Sequence, residues 1–462
     1  MTQPGNSPAS RDIAYHLHPY TNLKTHETAG PLIIASGKGV TVTDESGKEY
    51  IEGVAGLWCT SLGFDEPRLV EAAIRQMRTL PFYHAFAHKS HEPAIDLAER
   101  LIALAPVPMS KVFFACSGSE ANDTAVKLVW YYNNALGRPQ KKKIIARHKA
   151  YHGVTVAAAS LTGLPNCHRD FDLPISGILH TDCPHHYRYG EPGESEEAFA
   201  TRLADNLEAL ILREGPETVA AFIAEPVMGA GGVILPPATY FAKIQAVLHK
   251  YDVLLIADEV ICGYGRTGNM WGSQTYGLKP DILTSAKALT SAYLPLSAVL
   301  VSDPIYRACV DESAKIGTFG HGYTYSGHPV SCAVALETLK IYEERDIIGH
   351  VRALAPALQL GLRSFRDHPL VGEVRGIGLI GGIELVADKA TKQAFDPALA
   401  VGAKLVAFSH QHGAILRPIG DTIGFSPPLI IQVEEIEALL FRFEKALADT
   451  ADWLVREGVK IG

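Results

Sequence analysis

Residues 112–123 read Val-Phe-Phe-Ala-Cys-Ser-Gly-Ser-Glu-Ala-Asn-Asp. This is an apolar run of strand length, then a turn of small residues, then the acidic opening of a helix. The same rhythm continues downstream, with apolar runs at Ile144–Ala146, Val219–Ala224, Val253–Ala257, Asp281–Thr284 and Ala298–Val301. Glu120–Asn134 and Tyr240–Tyr251 carry helical periodicity between them. Strands alternating with helices predict an α/β domain whose sheet is largely parallel and flanked by helices. Beyond about residue 330 the pattern changes to helices around a glycine-rich, strand-rich piece, Val371–Leu385. The expected organisation is an N-terminal segment (1–60) serving the smaller unit and the site, a large domain (61–328) and a small α+β domain (329–462).

Working outward, Gly39–Gly53 (GVTVTDESGKEYIEG) predicts a hairpin turning at Glu45-Ser46-Gly47. Ile436, Leu439, Leu440, Phe443 and Leu447 form one apolar stripe of a C-terminal helix. At 462 residues, 47% hydrophobic and 20% charged, the chain has globular composition and length for two to three domains of about 100 to 200 residues. Lys plus Arg is 42 against 50 Asp plus Glu, a formal charge of −8. No global positive field draws a phosphate backbone or an anionic membrane, so neither nucleic acid nor membrane is expected as a partner. No stretch approaches the roughly 18 apolar residues of a span. The start, MTQPGNSPASRDIAYHLH, lacks the apolar centre of a signal peptide, and a cytoplasmic location is expected. Seven scattered cysteines, at 59, 116, 167, 183, 262, 309 and 332, predict reduced thiols.

Some signals point away from chemistry. Gly376, Gly378 and Gly381 match GxGxxG, but the continuation GIELVAD is a strand where the dinucleotide motif requires a helix. A hairpin is expected there. His84, His88 and His91, and Cys183 with His185 and His186, lack the spacing of a metal site and read as polar surface or interface groups. The run Lys141-Lys142-Lys143 reads as a solvated loop. No metal is expected.

Three features carry chemistry together. The turn at Gly118-Ser119 exposes backbone N–H groups at a helix N-terminus, which suits a phosphate; a plain serine N-cap reads the same way. Asp258 ends an apolar strand, at the sheet edge where open α/β folds bind ligands. Lys287 follows another short strand among small residues, where burial lowers an amine pKa and favours imine formation. A phosphate cradle, an acid and a desolvated lysine are the parts needed to hold pyridoxal phosphate.

The stretches SGSEAND, AYHG, AEPVMGAGGV, ADEVICGYGRTG, SAKALTSAYLP and HGYTYSGHP, in this order, closely resemble the class III (omega) aminotransferases of pyridoxal-phosphate fold type I. The resemblance runs from LWCTSLGF near residue 57 to LRPIGD near residue 416. It implies that Lys287 joins the cofactor aldehyde and later moves the α-proton, while Asp258 pairs with the pyridinium nitrogen. It also implies cofactor contacts from Gly118, Ser119, Tyr151, His152, Val260, Tyr323 and Thr324, with Thr324 reaching the neighbouring subunit's phosphate and Glu225 supporting the ring substituents. A homodimer or dimer of dimers with shared sites follows. Leu57, Trp58, Phe86, Tyr151 and Ala230 match substrate-pocket positions, and Arg417 matches the family's flexible, carboxylate-binding arginine. The implied reaction is ping-pong transfer of an amino group from a small amine donor to a keto-acid acceptor, through pyridoxamine phosphate. Glutamate-using members read EPxQGE and DEVQTG, whereas this chain has Met228, Ala230 and Ile261, which points to the pyruvate-accepting branch. Ala288, Ala292 and Ser297 stand where the family commonly has glycines, restricting that loop.

Overall fold

A computed structural model describes residues 5–460. Met1–Pro4, the first residues of the stretch read for a signal peptide, and the last two of the predicted C-terminal domain lie outside the described residues.

Strands β1 (Ile34–Lys38), β2 (Thr41–Asp44) and β3 (Glu49–Glu52) form an antiparallel meander. The expected hairpin is its second half, closed by the Gly47 N–H donating to the Asp44 carbonyl at 3.0 Å, with Gly47 at φ +86°.

Seven strands follow: β4 (Lys111–Ala115), β5 (Lys143–Arg147), β6 (Ile178–Thr181), β7 (Val219–Ala224), β8 (Leu254–Asp258), β9 (Ile282–Ser285) and β10 (Ser297–Val301). They build one sheet in the order β4-β10-β9-β8-β7-β5-β6. Neighbours from β6 to β9 are parallel, and β10 runs antiparallel to both β9 and β4. The reversal follows from chain length: residues 286–296 contain only a short 3₁₀ turn, and a parallel return needs a crossover of a dozen or more residues. The sequence pattern misses β6, whose four residues Ile-Leu-His-Thr are too few to show a period. Successive side chains of the central strands serve opposite layers. Phe222 and Leu255 pack under the helices Glu196–Glu214 and Tyr240–Lys250, while Ile223 and Ile256 pack with Ala121, Ala125 and Val129 of the helix Gly118–Ala135.

The last strands are β11 (Val371–Ile377), β12 (Ile380–Leu385), β13 (Ala414–Ile415), β14 (Arg417–Ile419) and β15 (Thr422–Phe425). Four of them form an antiparallel sheet, β11-β12-β15-β14, whereas β13 adds in parallel to β3. The triple-glycine stretch is the β11–β12 hairpin, with Gly378 at φ +56° in its turn. A side chain at Gly381 would come within 2.3 Å of Leu362, so this glycine serves helix packing. In the helix Val433–Arg456, Ile436, Leu439, Phe443 and Leu447 are buried, and Phe443 meets Phe365 and Phe425 edge-on at about 5 Å. Among the described residues no helix is long and apolar enough to cross a membrane.

The lysine run differs from its expectation as a solvated loop. Lys141 is buried, and its Nζ donates to the carbonyls of Pro216 and Tyr251; Lys142 and Lys143 turn back onto Asn134 and Glu214. Each ammonium is used to satisfy acceptors at the ends of neighbouring helices.

The loop from β9 to β10 holds Lys287, Ser291 and Ala292 at φ +51°, +50° and +63°. Of the three positions where the family commonly has glycine, only Ala292 is left-handed; Ser297 lies inside β10 and Ala288 has no positive φ. Ala292→Gly is therefore expected to stabilise the protein by about 0.5–1 kcal/mol, because the left-handed penalty on a β-carbon exceeds glycine's entropic loss. Ala288→Gly should destabilise it, and denaturant titration of both variants checks the contrast.

Candidate functional site

The carboxyl ends of β4, β5, β7, β8 and β9 meet along one sheet edge. Asp258 is the last residue of β8, Glu225 follows β7, Tyr151 and His152 follow β5 by a short loop, and Lys287 lies two residues beyond β9. After β4, Ser117 caps the helix Gly118–Ala135 by accepting from the Glu120 N–H at 3.2 Å. Gly118, Ser119, Tyr151, His152, Glu225, Asp258, Val260 and Lys287, all expected to hold the cofactor, line a cavity of about 120 Å³.

Asp258 is buried and accepts three hydrogen bonds, which leaves acceptor capacity on Oδ1. Its Oδ2 accepts from His152 Nδ1 and from Asn122 Nδ2, each at 2.8 Å, and its Oδ1 accepts from the Val260 N–H at 3.1 Å. Asn122 is itself fixed, because Thr284 Oγ1 donates to its Oδ1 at 2.9 Å and its Nδ2 also reaches the His152 carbonyl. The SGSEAND motif contains Asn122, but its task was not legible; a polar residue on the buried face of a helix was the available signal. Glu225 carries one acceptor contact on each oxygen, from the Tyr151 and Gly229 N–H groups at 3.0 Å. Burial raises the pKa of Glu225. Glu259 next door is a different kind of acid: it accepts from the Gly272 and Ser273 N–H groups and from Ser273 Oγ. Burial pushes it up to about 7, and its role is to tie β8 to the helix Gly272–Tyr276.

The Lys287 ammonium makes no hydrogen bond or ion pair among the described residues. Desolvation holds its pKa below the ordinary lysine value, and φ +51° is a strained conformation for a residue with a β-carbon. Desolvation favours the neutral, nucleophilic form of such an amine.

Pyridoxal phosphate fits this residue set. The Gly118 turn brings backbone N–H groups to the cavity, and a Cβ at Gly118 would sit 3.1 Å from Val260. Ser119 Oγ is anchored by the Val154 N–H at 3.1 Å. His152 Nε2 is buried without a partner, so the imidazole that supports Asp258 keeps one edge toward the ligand space.

On the substrate side, Arg417 opens β14, is partly buried and pairs with no carboxylate among the described residues. Burial lowers its pKa, and the nearby Tyr151 and Tyr20 phenols oppose that shift. Tyr20 was not anticipated; its ring meets Tyr151 edge-on at 6.3 Å and its hydroxyl lies 3.1 Å from Cys167 Sγ. Nothing in the periodicity of the first 30 residues marks it. Trp58 is only 2% exposed and packs with Val54, Val233 and Ile261, the last of which lines the cavity. Ala230 is buried in the loop after Glu225.

Seven expected residues do not line this cavity: Arg417, Trp58 and Ala230, and also Leu57, Phe86, Tyr323 and Thr324. Leu57 and Phe86 are 55% and 45% exposed, and Thr324 is exposed. Tyr323 braces the helix Gly118–Ala135, its hydroxyl 3.3 Å from Thr124 Oγ1 and from the Glu120 carbonyl. The segments carrying Phe86 and Thr324 pack on each other through Phe82 and Tyr325, at 5.7 Å, and present aromatic faces outward.

The other histidine groups behave as polar structure. The segment 81–91 is not helical, so His84, His88 and His91 share no face; His91 caps the helix Glu92–Leu104. His185 pairs with Glu373 at 2.7 Å, but Arg375 bonds both Glu373 and Glu384, and Arg188 bonds Glu384.

A family model described as Aminotransferase class-III matches residues 23–447. Gamma aminobutyrate transaminase 3, chloroplastic, of Solanum lycopersicum is 58% identical over 421 residues, 91% of this chain and 81% of that protein. Vanillin aminotransferase of Capsicum annuum is 56% identical over 421 residues, 91% of this chain and 92% of that protein. Among solved structures, the omega transaminase from Pseudomonas jessenii in complex with PMP superposes with a TM-score of 0.96 at 56% identity, covering 97% of this chain and 99% of that one. With its lysine, acid and phosphate turn on one edge of a fold type I sheet, the chain belongs to the class III aminotransferases, enzymes that use pyridoxal phosphate.

Proposed function

We propose that this enzyme moves the amino group of a primary amine or ω-amino acid to pyruvate, yielding an aldehyde or ketone and alanine, and that it works as a homodimer whose copies complete each other's sites. The observation that carries the reading is Arg417, a partly buried guanidinium beside Tyr151 with no carboxylate partner among the described residues. The positions where glutamate-using relatives place Gln and Glu hold Met228, Ala230 and Ile261, so no internal acid competes for Arg417. One cation beyond Lys287 suits an acceptor with a single carboxylate. The relatives named for 4-aminobutyrate and for vanillin support a site open to both ω-amino acids and aryl-alkyl compounds.

Bound at the sheet edge, pyridoxal phosphate supplies a ring that takes up the electron pair released when the α-proton leaves. Lys287 is the amine that would join the cofactor and, once free, carry that proton; desolvation lowers its pKa, which favours both tasks. Asp258 would hold a proton at the ring nitrogen, with His152 and Asn122 fixing its orientation. The N–H groups near Gly118 and Ser119 would hold the phosphate, and Tyr151 and Val260 line the space the ring would take. Glu225 keeps the Tyr151 backbone in place. Arg417 binds the acceptor carboxylate and swings aside for an uncharged donor. The exposed Leu57, Phe86 and Thr324 fit the dimer reading, since each is a family site position left outside its own chain's cavity.

Arg417→Ala should lower kcat/KM for pyruvate about 100-fold, a loss of about 2.7 kcal/mol, and change the half-reaction with a neutral amine by less than about threefold. Equal losses in both half-reactions contradict the assignment. With amine alone, the enzyme should release one equivalent of carbonyl product per site and stop; continued turnover without a keto acid points to an aminomutase or another chemistry of the fold. A panel with 2-oxoglutarate in place of pyruvate separates the acceptors. Light scattering after gel filtration should give a multiple of the 49.9 kDa chain mass, and a 49.9 kDa active species contradicts the shared site.

A further inference from the structure

The N-terminal arm gathers four metal-ligating side chains that the transamination site does not use. Asp12 lies in the last turn of the helix Pro8–Tyr15, His16 caps that helix, His18 follows, and His26 comes from the helix Leu23–Ala29. His18 Nε2 and His26 Nε2 lie 2.8 and 3.0 Å from Asp12 Oδ1, and His16 Nδ1 lies 3.3 Å from Asp12 Oδ2. The His18 ring is centred 4.2 Å from each of its two histidine neighbours. The ligand atoms of Asp12, His16 and His18 all lie within 4.8 Å of one another.

We infer that Asp12, His16, His18 and His26 bind one divalent transition-metal ion of the zinc type. Three imidazoles around one carboxylate are an N₃O donor set of the kind that holds zinc at about 2.0–2.2 Å, with His26 joining the compact Asp12–His16–His18 group through its contact with Asp12. Imidazole predominance selects zinc, nickel or copper over calcium or magnesium, which take oxygen ligands. Among the described residues no Lys or Arg pairs with Asp12. His185 with Glu373 and Glu384 provides the contrast: there Arg375 and Arg188 already occupy the carboxylates. His16 is 61% exposed, which leaves one side of the cluster open for entry of the ion.

The ion would also fasten the arm. Tyr20 lies between His18 and His26 in the chain, so ligands on both flanks pin the segment that lays Tyr20 against Tyr151. Lys24, 87% exposed in the first turn of the helix Leu23–Ala29, lies within the same segment and reports on it.

Zinc titration calorimetry of the metal-stripped, cofactor-loaded enzyme should show one site per chain, retained in His185→Ala and lost in the double variant Asp12→Ala/His26→Ala. Cobalt(II) at the same site should give the visible bands of a four-coordinate centre. In the unmodified enzyme, zinc should slow tryptic cleavage after Lys24, and EDTA should restore it. Absence of binding tighter than about 1 mM, survival of the site in the double variant, or cleavage indifferent to zinc overturns the inference.

Discussion

A buried carboxylate, Asp258, organises the site, because a charge removed from water must be met by donors of fixed geometry. The donors come from separate βα units: His152 from the loop after β5 and Asn122 from the helix after β4. Thr284 of β9 closes the set by fixing which way the Asn122 amide faces: Oδ1 accepts from the hydroxyl, so Nδ2 must face Asp258. The same logic sets His152. Its Nδ1 faces Asp258 at 2.8 Å, and its Nε2 is buried without a partner. Removing any member leaves a buried polar group unpaired, so the four side chains act as one unit at the edge of the cavity.

This frame also accounts for the strained backbone around it. Ala55, Trp58, Lys287, Ser291 and Ala292 all have positive φ without being glycine. Such conformations persist only where surrounding contacts over-determine them. The contacts are visible: Ser291 Oγ accepts from the Leu62 N–H at 2.9 Å, and Tyr293 Oη accepts from the Glu66 N–H at 2.6 Å, binding the lysine loop to the segment after Trp58. The strain at Lys287 directs its amine into the cavity, whereas that at Ala292 has no group to aim.

The legibility of these parts in the sequence depended on their range. Lys287, Asp258 and the Gly118 turn each follow a short apolar strand, so local pattern located them, and the order of the motifs named the family. The sheet was legible apart from β6 and the reversal of β10, whose cause is a connection length with no helical signature. Asn122 and Tyr20 were not legible as site residues, because their partners lie far along the chain: 136 residues separate Asn122 from Asp258, and 147 separate Tyr20 from Cys167. The lysines at 141–143 show the converse failure. Their composition resembles a solvated surface, yet each ammonium finds an acceptor supplied by the ends of neighbouring helices.

The substrate side depends on a still longer connection. Strand β13 is two residues long and joins the N-terminal meander by pairing Ala414 with Ile51 and Ile415 with Glu52. The Gly53 N–H continues the ladder to the Ile415 carbonyl at 2.9 Å, and the Ser426 N–H donates to the Gly53 carbonyl at 2.7 Å. A side chain at Gly53 would meet Leu416 at 2.8 Å, so this close approach requires glycine. Immediately beyond the ladder on one side is the Val54–Trp58 loop, and on the other is Arg417. A few backbone hydrogen bonds therefore set the separation between the apolar wall and the guanidinium, two features drawn from opposite ends of the chain. The Asp258 network rests instead on the central sheet, so the two features are held by parts of the fold that share no strand with it.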